Sequence, residues 1–263
     1  MQCDVSTAYS EVEKQNMRNL MIVISYNGKN YHGWQIQDNA LTVQEVFQNA
    51  LEKIIQDTPY EIKGCSRTDS GVHANKYCIS LKLVHNIPCY RLQTALNRFL
   101  PKDISVLGVE EKPLDFHARY SCKSKQYIYK IWNAEVRNPF LDGLVYQYGY
   151  PIDEKMLDRV CKAYIGKHDF TSFCTIDNSR RKDNMERTVI DFNVRREGNM
   201  VIMTVEADGF LYNMVRIMVG TLMKIVQGKF EEDCIERIIE AKDRSKAGAT
   251  APSCGLYLNE VRY

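Results

Sequence analysis

The chain has 263 residues, 44% of them hydrophobic, and a formal net charge of +2. This length suffices for one large or two modest domains that each bury a core. Residues 20–24, the longest purely apolar run near the N-terminus, are too few to span a membrane or to form a signal-peptide core. We therefore predict a cytoplasmic protein. A charge of +2 does not indicate a polyanion binder, so any such site must come from local clusters.

The cysteines argue against a disulfide framework and against a metal site. There are nine, an odd number, and no two of them form a Cys-x-x-Cys pair. Zinc sites and disulfide scaffolds both use regular cysteine spacings. The pattern favours reduced, mostly buried thiols and no bound metal.

The first half of the chain has the pattern of a split β-α-β unit. Residues 1–17 are polar and predict a flexible N-terminal extension. The elements that follow are predicted as a strand at 19–26, a helix at 43–55 that begins with the capping box Thr42-Val43-Gln44-Glu45, strands at 60–63 and 76–84, a helix at 90–100 and a strand at 104–110. The order β-α-β-β-α-β is typical of a ferredoxin-like α+β fold, with helices on one face of an antiparallel sheet.

The second half repeats this pattern. Its predicted elements are a strand within 116–134, a helix at 153–165, strands at 188–194 and 200–207 joined by a turn at 197–199, helices at 209–227 and 231–242, and a strand at 255–261. We predict an α+β protein of two ferredoxin-like, RRM-like halves, 18–114 and 115–263. The halves are expected to form a continuous, mainly antiparallel sheet with helices on one face and a catalytic cleft between them.

The chain is organised around a loop at residues 64–74, Gly64-Cys65-Ser66-Arg67-Thr68-Asp69-Ser70-Gly71-Val72-His73-Ala74. A base, an acid and permissive glycines crowd together here between two predicted strands. Loops on rigid scaffolds commonly carry function, so Asp69 is a candidate catalytic residue. The alternative is an Asx-type turn in which Asp69 only caps the amides that follow it.

Two basic segments could contact a polyanion. Residues 116–134 contain four basic residues, no acidic residue and several aromatic ones, and residues 178–187 form a second basic run. Tyr127 and Tyr129 share one strand face, so they are either core residues or a platform for base stacking. The run at 178–187 is either an exposed binding loop or a solvated charge run without a partner. For Trp34, in the loop at residues 27–35, we favour packing over base stacking.

Arg216 is a single charge on an otherwise apolar predicted helix. Burying a guanidinium without a partner costs several kcal/mol, so a carboxylate, a phosphate or carbonyl groups should meet it. Glu206 and Asp208 are near in sequence, and Asp69 is a candidate in the other half. A pair between Arg216 and Asp69 would keep Asp69 ionised and oriented, as a nucleophile or base requires.

These residues carry a resemblance to the bacterial tRNA pseudouridine synthase A family, which continues along nearly the whole chain from Tyr26 onward. The motifs are Arg67-Thr68-Asp69-Ser70-Gly71-Val72-His73-Ala74, Tyr31-His32-Gly33-Trp34-Gln35, Phe116-His117-Ala118-Arg119, Tyr127-Ile128-Tyr129, His168-Asp169-Phe170-Thr171-Ser172-Phe173, Asn213-Met214-Val215-Arg216 with Gly220, and Gly255-Leu256-Tyr257-Leu258.

The resemblance implies isomerisation of uridine to pseudouridine without a cofactor, at positions 38, 39 and 40 of the tRNA anticodon stem-loop, by a homodimer. Asp69 matches the essential aspartate, which acts as nucleophile or base. By the same resemblance Tyr127 stacks on the target base and serves in proton transfer, and Arg216 pairs with Asp69. Arg67 and Leu256 would contact the substrate. Cys65-Ser66 and Ser70 depart from the commonest form of the motif, which leaves the range of target uridines open.

Two other functions remain possible from the residues alone. Two ferredoxin-like halves could bind RNA on an open sheet without chemistry, and the same site could modify a different RNA. An aspartyl hydrolase or phosphotransferase is a weaker interpretation, because no metal cluster or glycine-rich phosphate loop accompanies the acid.

Overall fold

The computed structural model describes residues 16–175 and 184–263. The chain divides into two compact units: one comprises the residues up to Cys122 together with Tyr263, and the other comprises Lys123–Arg262. The chain thus passes from one unit to the other eight residues after the boundary placed at 114 from the sequence.

The first unit contains four strands and two α-helices within the part of the chain that is described. They are β1 (Arg18–Tyr26), α1 (Val43–Ile55), β2 (Tyr60–Gly64), β3 (His73–Leu83), α2 (Cys89–Phe99) and β4 (Ile104–Lys112). The strands are antiparallel and lie in the order β4-β1-β3-β2. This is the predicted β-α-β-β-α-β unit with its ferredoxin-like strand order.

The hydrophobic pattern explains how these elements form. Along β1 the buried residues alternate from Leu20 to Tyr26, as expected for a strand with one face on the core. Helix α1 begins where predicted, because the Thr42 hydroxyl oxygen accepts a hydrogen bond from the Glu45 amide at 3.4 Å. Both helices bury an apolar stripe, and α1 packs against α2 while α2 packs against β4.

The second unit contains six strands and three α-helices within the described residues. They are β5 (Ser124–Asn133), β6 (Tyr146–Tyr148), α3 (Glu154–Val160), β7 (Gly166–Asp169), β8 (Glu186–Glu197), β9 (Met200–Ala207), α4 (Met214–Val226), α5 (Cys234–Ala241) and β10 (Leu256–Arg262). The order is β10-β5-β9-β8-β7 with antiparallel neighbours, and β6 pairs with β5 in parallel.

The two units share one topology. If the core strands of each unit are numbered 1 to 4 along the chain, β1, β2, β3 and β4 lie in the spatial order 4-1-3-2, and so do β5, β8, β9 and β10. In both units one helix or more follows the first strand and the third strand. The predicted α+β fold class and the repetition of the first half in the second are confirmed.

Two predicted helices differ from the structure by more than three residues at one end. The helix expected at 209–227 begins only at Met214, because Asn213 has a left-handed backbone (φ 62) and Phe210 leaves the helical path to pack edge-on against Tyr127. The helix expected at 153–165 is α-helical only over Glu154–Val160. It continues as a 3-10 helix at Cys161–Tyr164, a tighter turn that is common at helix ends.

Some predictions fall on residues that the structure does not describe. The extension at 1–17 and the basic run at 178–187 lie largely outside the described residues.

Within the two described ranges, no helix combines the length and apolar character needed to cross a bilayer. Of the eight cysteines within the described residues, five are buried, and burial raises the pKa of the Cys161 thiol to about 12.

Candidate active site

Asp69 opens a tight turn between β2 and β3. The Val72 amide donates to the main-chain oxygen of Asp69 at 3.1 Å, and Gly71 has a φ of 75° at the third position of the turn, where glycine is favoured. The Gly71 amide donates to the carbonyl of Tyr31 at 3.1 Å. Main-chain oxygens therefore accept from both amides, and these two hydrogen bonds fix the backbone of the turn that carries Asp69.

The loop at residues 27–35 supports this turn by close backbone contact. A Cβ atom at Gly28 would lie 1.9 Å from the carbonyl oxygen of Val72, and one at Gly33 would lie 2.1 Å from the carbonyl oxygen of Thr68. Only glycine permits this approach. The Trp34 amide also donates to the Thr68 carbonyl, at 3.4 Å. The two loops thus hold each other, and the backbone beside Asp69 has little freedom to move.

Aromatic packing forms the base of the turn. The Trp34 ring stacks on Tyr77 at 4.3 Å between centroids, and only 4% of Trp34 is exposed. The packing interpretation of Trp34 agrees with this geometry. Thr68 is buried and its hydroxyl hydrogen-bonds the Tyr26 hydroxyl at 2.9 Å, whereas Arg67 is exposed and Asp69 half-buried. The loop therefore buries Cys65, Thr68 and Val72 and leaves Arg67 and Ser70 exposed.

Asp103 anchors the supporting loop to the start of β4. Its carboxylate accepts hydrogen bonds from the Tyr31 hydroxyl at 2.7 Å and from the side-chain amide of Asn30 at 3.3 Å. Its main-chain oxygen accepts from the main-chain amide of Asn27 at 2.9 Å. Burial, and then the Asp103 hydrogen bond, raise the pKa of Tyr31 well above its usual value. Tyr31 therefore stays a hydroxyl donor at all ordinary pH values, and it links Asp103 to the Asp69 turn.

Tyr127 lies on β5 of the second unit, between β10 and β9. It pairs with Val205 on one side and Leu258 on the other, and 7% of it is exposed. The ring meets Phe210 edge-on at 5.1 Å and 84°. Tyr129, two residues on, is a core residue: it is 1% exposed, burial raises its pKa, and its hydroxyl donates to the Pro252 carbonyl at 2.7 Å.

Leu256 begins β10 directly opposite Tyr129, and it is 6% exposed. The preceding residue, Gly255, is required by this packing, because a Cβ there would lie 2.7 Å from the Tyr129 ring. Leu256 is therefore fixed by the same core as the β5 tyrosines.

Arg216 lies in the first turn of α4 and is half-buried. Its Nε donates to the Ala251 carbonyl at 2.8 Å and its Nη1 to Asn213 Oδ1 at 2.9 Å. The expectation that oxygen atoms meet this charge is thus met in part by a carbonyl and an amide. The positive end of the helix dipole adds to the charge of Arg216, an arrangement that suits an anion.

The two carboxylates near Arg216 in sequence have other partners. Glu206 accepts from the Ser124 hydroxyl at 2.6 Å and pairs with Arg262 at 3.0 Å, and Asp208 accepts from the Thr188 amide at 3.0 Å. The two carboxylates thus bond to residues of strands β5, β8 and β10.

The structure places the predicted site residues in both units. Arg67 and Asp69 share one loop of the first unit, whereas Tyr127, Arg216 and Leu256 belong to the second. The pairing of Asp69 with Arg216 stays a prediction. In the described part of the chain, no group of three or more His, Cys, Asp or Glu side chains has an arrangement that could hold a metal ion.

Sequence reasoning missed the residues that hold these groups. Asp103 lies 72 residues from Tyr31, and nothing in the pattern joins the two. Asn213 was placed inside a helix. The motif Asn213-Met214-Val215-Arg216 includes it, but the only signal for its left-handed backbone was the residue type, since asparagine adopts this conformation more readily than most residues.

Comparison with known proteins decides the family. The family model described as tRNA pseudouridine synthase matches residues 22–121 and 160–263. This chain belongs to the tRNA pseudouridine synthase family. Members of the family are isomerases. The match includes Arg67, Asp69, Arg216 and Leu256, while Tyr127 lies between its two segments.

Individual relatives extend this result along the chain. The chain is 43% identical over 247 residues to a tRNA pseudouridine synthase A of Thermoanaerobacter sp. (strain X514), a match that covers 94% of this chain and 100% of the relative. It is 42% identical over the same shares to a tRNA pseudouridine synthase A of Acetivibrio thermocellus. It is 41% identical, again over those shares, to a tRNA pseudouridine synthase A 2 of Clostridium perfringens.

Proposed function

We propose that this chain isomerises uridine to pseudouridine at positions 38, 39 and 40 of the anticodon stem-loop of tRNA, without a cofactor. The observation that carries the proposal is the Asp69 turn, which is held by main-chain hydrogen bonds and close glycine contacts in a chain of the tRNA pseudouridine synthase family. A carboxylate carried on a backbone that is held in this way can be oriented for a reaction.

The reaction moves one bond and leaves the composition of the nucleoside unchanged. The bond from N1 of uracil to C1′ of the ribose breaks, the uracil turns, and a bond from C5 to C1′ forms. C5 loses a proton and N1 carries one in the product. Asp69 acts either as the nucleophile at C1′ or as the base that removes the ribose 2′ proton, and both routes require an ionised carboxylate.

The other site residues have roles in the same reaction. Tyr127 stacks on the target base and takes part in the proton transfer at C5. Arg216 pairs with Asp69 and keeps it ionised, and Arg67 and Leu256 hold the flipped nucleotide. An enzyme that acts on a stacked base must extrude it into a pocket at a cost of a few kcal/mol, which side-chain contacts offset.

The tRNA would be held mainly through its phosphates. The basic segment near Lys123 supplies one group of contacts, and the run near Arg180 is proposed as a second. We further propose that the enzyme works in the cytoplasm as a homodimer with RNA lying across both subunits. Size-exclusion chromatography with light scattering tests the dimer, and a mass of one chain at assay concentration would contradict it.

Unmodified tRNA transcripts test the substrate. Incubation with the protein, followed by chemical mapping of pseudouridine, should show product at positions 38, 39 and 40, and transcripts with cytidine at these positions should show none. Product at other uridines alone would redirect the assignment to a different RNA site. If no transcript yields pseudouridine while tRNA still binds, the chain is a binding protein and the proposal is wrong.

A further inference from the structure

Asn213 has an unusual backbone conformation immediately before α4. Its φ of 62° and ψ of 6° lie in the left-handed region, which costs a residue with a side chain roughly 1 kcal/mol relative to glycine. Such residues persist where the surroundings demand them, and they cluster at functional sites. The position therefore calls for an explanation in terms of what the side chain does.

The Asn213 amide joins two residues of the second unit. Its Oδ1 accepts from Nη1 of Arg216 at 2.9 Å, and its Nδ2 donates to the Thr175 hydroxyl at 3.0 Å. A guanidinium can only donate, so the amide oxygen must face Arg216 and the nitrogen must face Thr175. The Thr175 amide donates to the Tyr212 carbonyl at 3.1 Å, which fixes Thr175 beside the turn.

Main-chain groups also hold Arg216. Arg216 Nε donates to the Ala251 carbonyl at 2.8 Å, and the Ala251 amide donates back to the Arg216 carbonyl at 3.0 Å. Close contact fixes this segment, since a Cβ at Gly220 would lie 1.7 Å from the Ala249 oxygen. The hydrogen bond to the Ala251 carbonyl thus fixes the position of the guanidinium group, and the hydrogen bond to Asn213 Oδ1 fixes the orientation of Nη1.

We propose that Asn213 is a positioning residue for the isomerisation, and that its amide oxygen orients the Arg216 guanidinium while Thr175 orients the amide. This inference rests on the proposed function, in which Arg216 takes part in the reaction. The left-handed backbone is the feature that brings the Asn213 side chain back over the first turn of α4.

Three substitutions distinguish the contribution of the Asn213 side chain from that of its backbone conformation. Asn213→Gly adopts the left-handed conformation without strain and removes both hydrogen bonds, so kcat should fall roughly 10- to 100-fold, the loss expected from a misplaced catalytic group. KM for tRNA should change by less than about threefold, because Asn213 acts through Arg216 and not on the RNA. Asn213→Asp keeps an oxygen toward Arg216 and should recover most of kcat. Thr175→Val should give a smaller loss of about two- to fivefold.

Lys242→Gly is the matched control. Lys242 is also left-handed (φ 47, ψ 35), at the end of α5 in the same unit, so the change relieves the same kind of strain away from Arg216. Its kcat should equal that of the unmutated protein. Thermal unfolding of each variant identifies any loss that comes from misfolding.

Each outcome bears on one of the two claims. If Arg216→Ala abolishes product while Asn213→Gly keeps full kcat, the positioning role is wrong and the proposed function stands. If Asn213→Asp is as slow as Asn213→Gly, the acceptor role of Oδ1 is overturned. If Arg216→Ala is fully active, Arg216 has no part in the reaction, so the proposed function loses that residue and the positioning role of Asn213 is overturned with it.

Discussion

Tyr31→Phe removes one hydroxyl group from the loop that holds the Asp69 turn. The lost contact is a 2.7 Å hydrogen bond to the Asp103 carboxylate from a residue that is 4% exposed. Hydrogen bonds to charged groups stabilise by about 1.5–3 kcal/mol. Asp103 is half-buried and keeps its bond from Asn30, so we expect the free energy of unfolding to fall by about 1–2 kcal/mol.

The expected loss is measurable in two ways. A protein of this size loses about 2–4 °C in Tm per kcal/mol, so Tm should fall by roughly 2–8 °C in a thermal unfolding scan. The Tyr31 carbonyl accepts from the Gly71 amide, so a shift of residue 31 moves the Asp69 turn. Single-turnover pseudouridine formation, measured well below Tm, should therefore slow by roughly 3- to 10-fold.

Tyr60→Phe provides the control. The Tyr60 hydroxyl donates to Glu52 at 2.7 Å, so this variant also loses a tyrosine–carboxylate bond in the first unit, but between α1 and β2. It should keep the full rate. If Tyr31→Phe forms product at the unmutated rate, or if Tyr60→Phe slows to the same extent, the bond from Tyr31 to Asp103 does not position the Asp69 turn.

Three further predictions concern stability and binding. Gly64→Ala places a Cβ 2.1 Å from the Tyr77 hydroxyl and should lower the free energy of unfolding, measured in urea, by about 1–3 kcal/mol. The control Gly108→Ala places a Cβ with nothing within 4 Å and should change this free energy by less than about 0.5 kcal/mol. Equal effects of the two substitutions would contradict the packing at Trp34. The hydrogen bond from the Val194 amide holds the pKa of Asp158 below its ordinary value, so at acidic pH the unfolded chain binds more protons than the folded chain. This contribution to stability is present above about pH 4 and lost as pH falls through the lowered pKa; Asp158→Asn should flatten the acid side of the urea unfolding series, and an unchanged series would contradict it. The Kd for tRNA should rise steeply with salt if phosphate contacts dominate, and a flat response would refute the basic-segment account.

The core strands and the repeated topology could be predicted because both depend on local pattern, whereas the short strands β6 and β7 were not predicted. Alternation of apolar residues located β1, and the capping box at Thr42 located the start of α1. Helix α4 was placed too early because the apolar pattern continues through Phe210 and Tyr212. Periodicity carries no information about the sign of φ, and the left-handed Asn213 starts the helix later.

The candidate site was predictable where its residues are close in sequence. The loop that carries Arg67 and Asp69 and its glycine requirement follow from residue types and spacing. The support of that loop by Tyr31 and Asp103 depends on a contact across 72 residues, and the hold on Arg216 depends on a backbone conformation. Neither is encoded in a local pattern.

The most direct test of the central claim compares the unmutated protein with Asp69→Asn on unmodified tRNA transcripts. The substitution keeps the size of the side chain and removes its charge. We expect pseudouridine at positions 38, 39 and 40 with the unmutated protein, none with Asp69→Asn, and similar tRNA affinity for both. Product formation by Asp69→Asn at a rate close to that of the unmutated protein would contradict the role of Asp69.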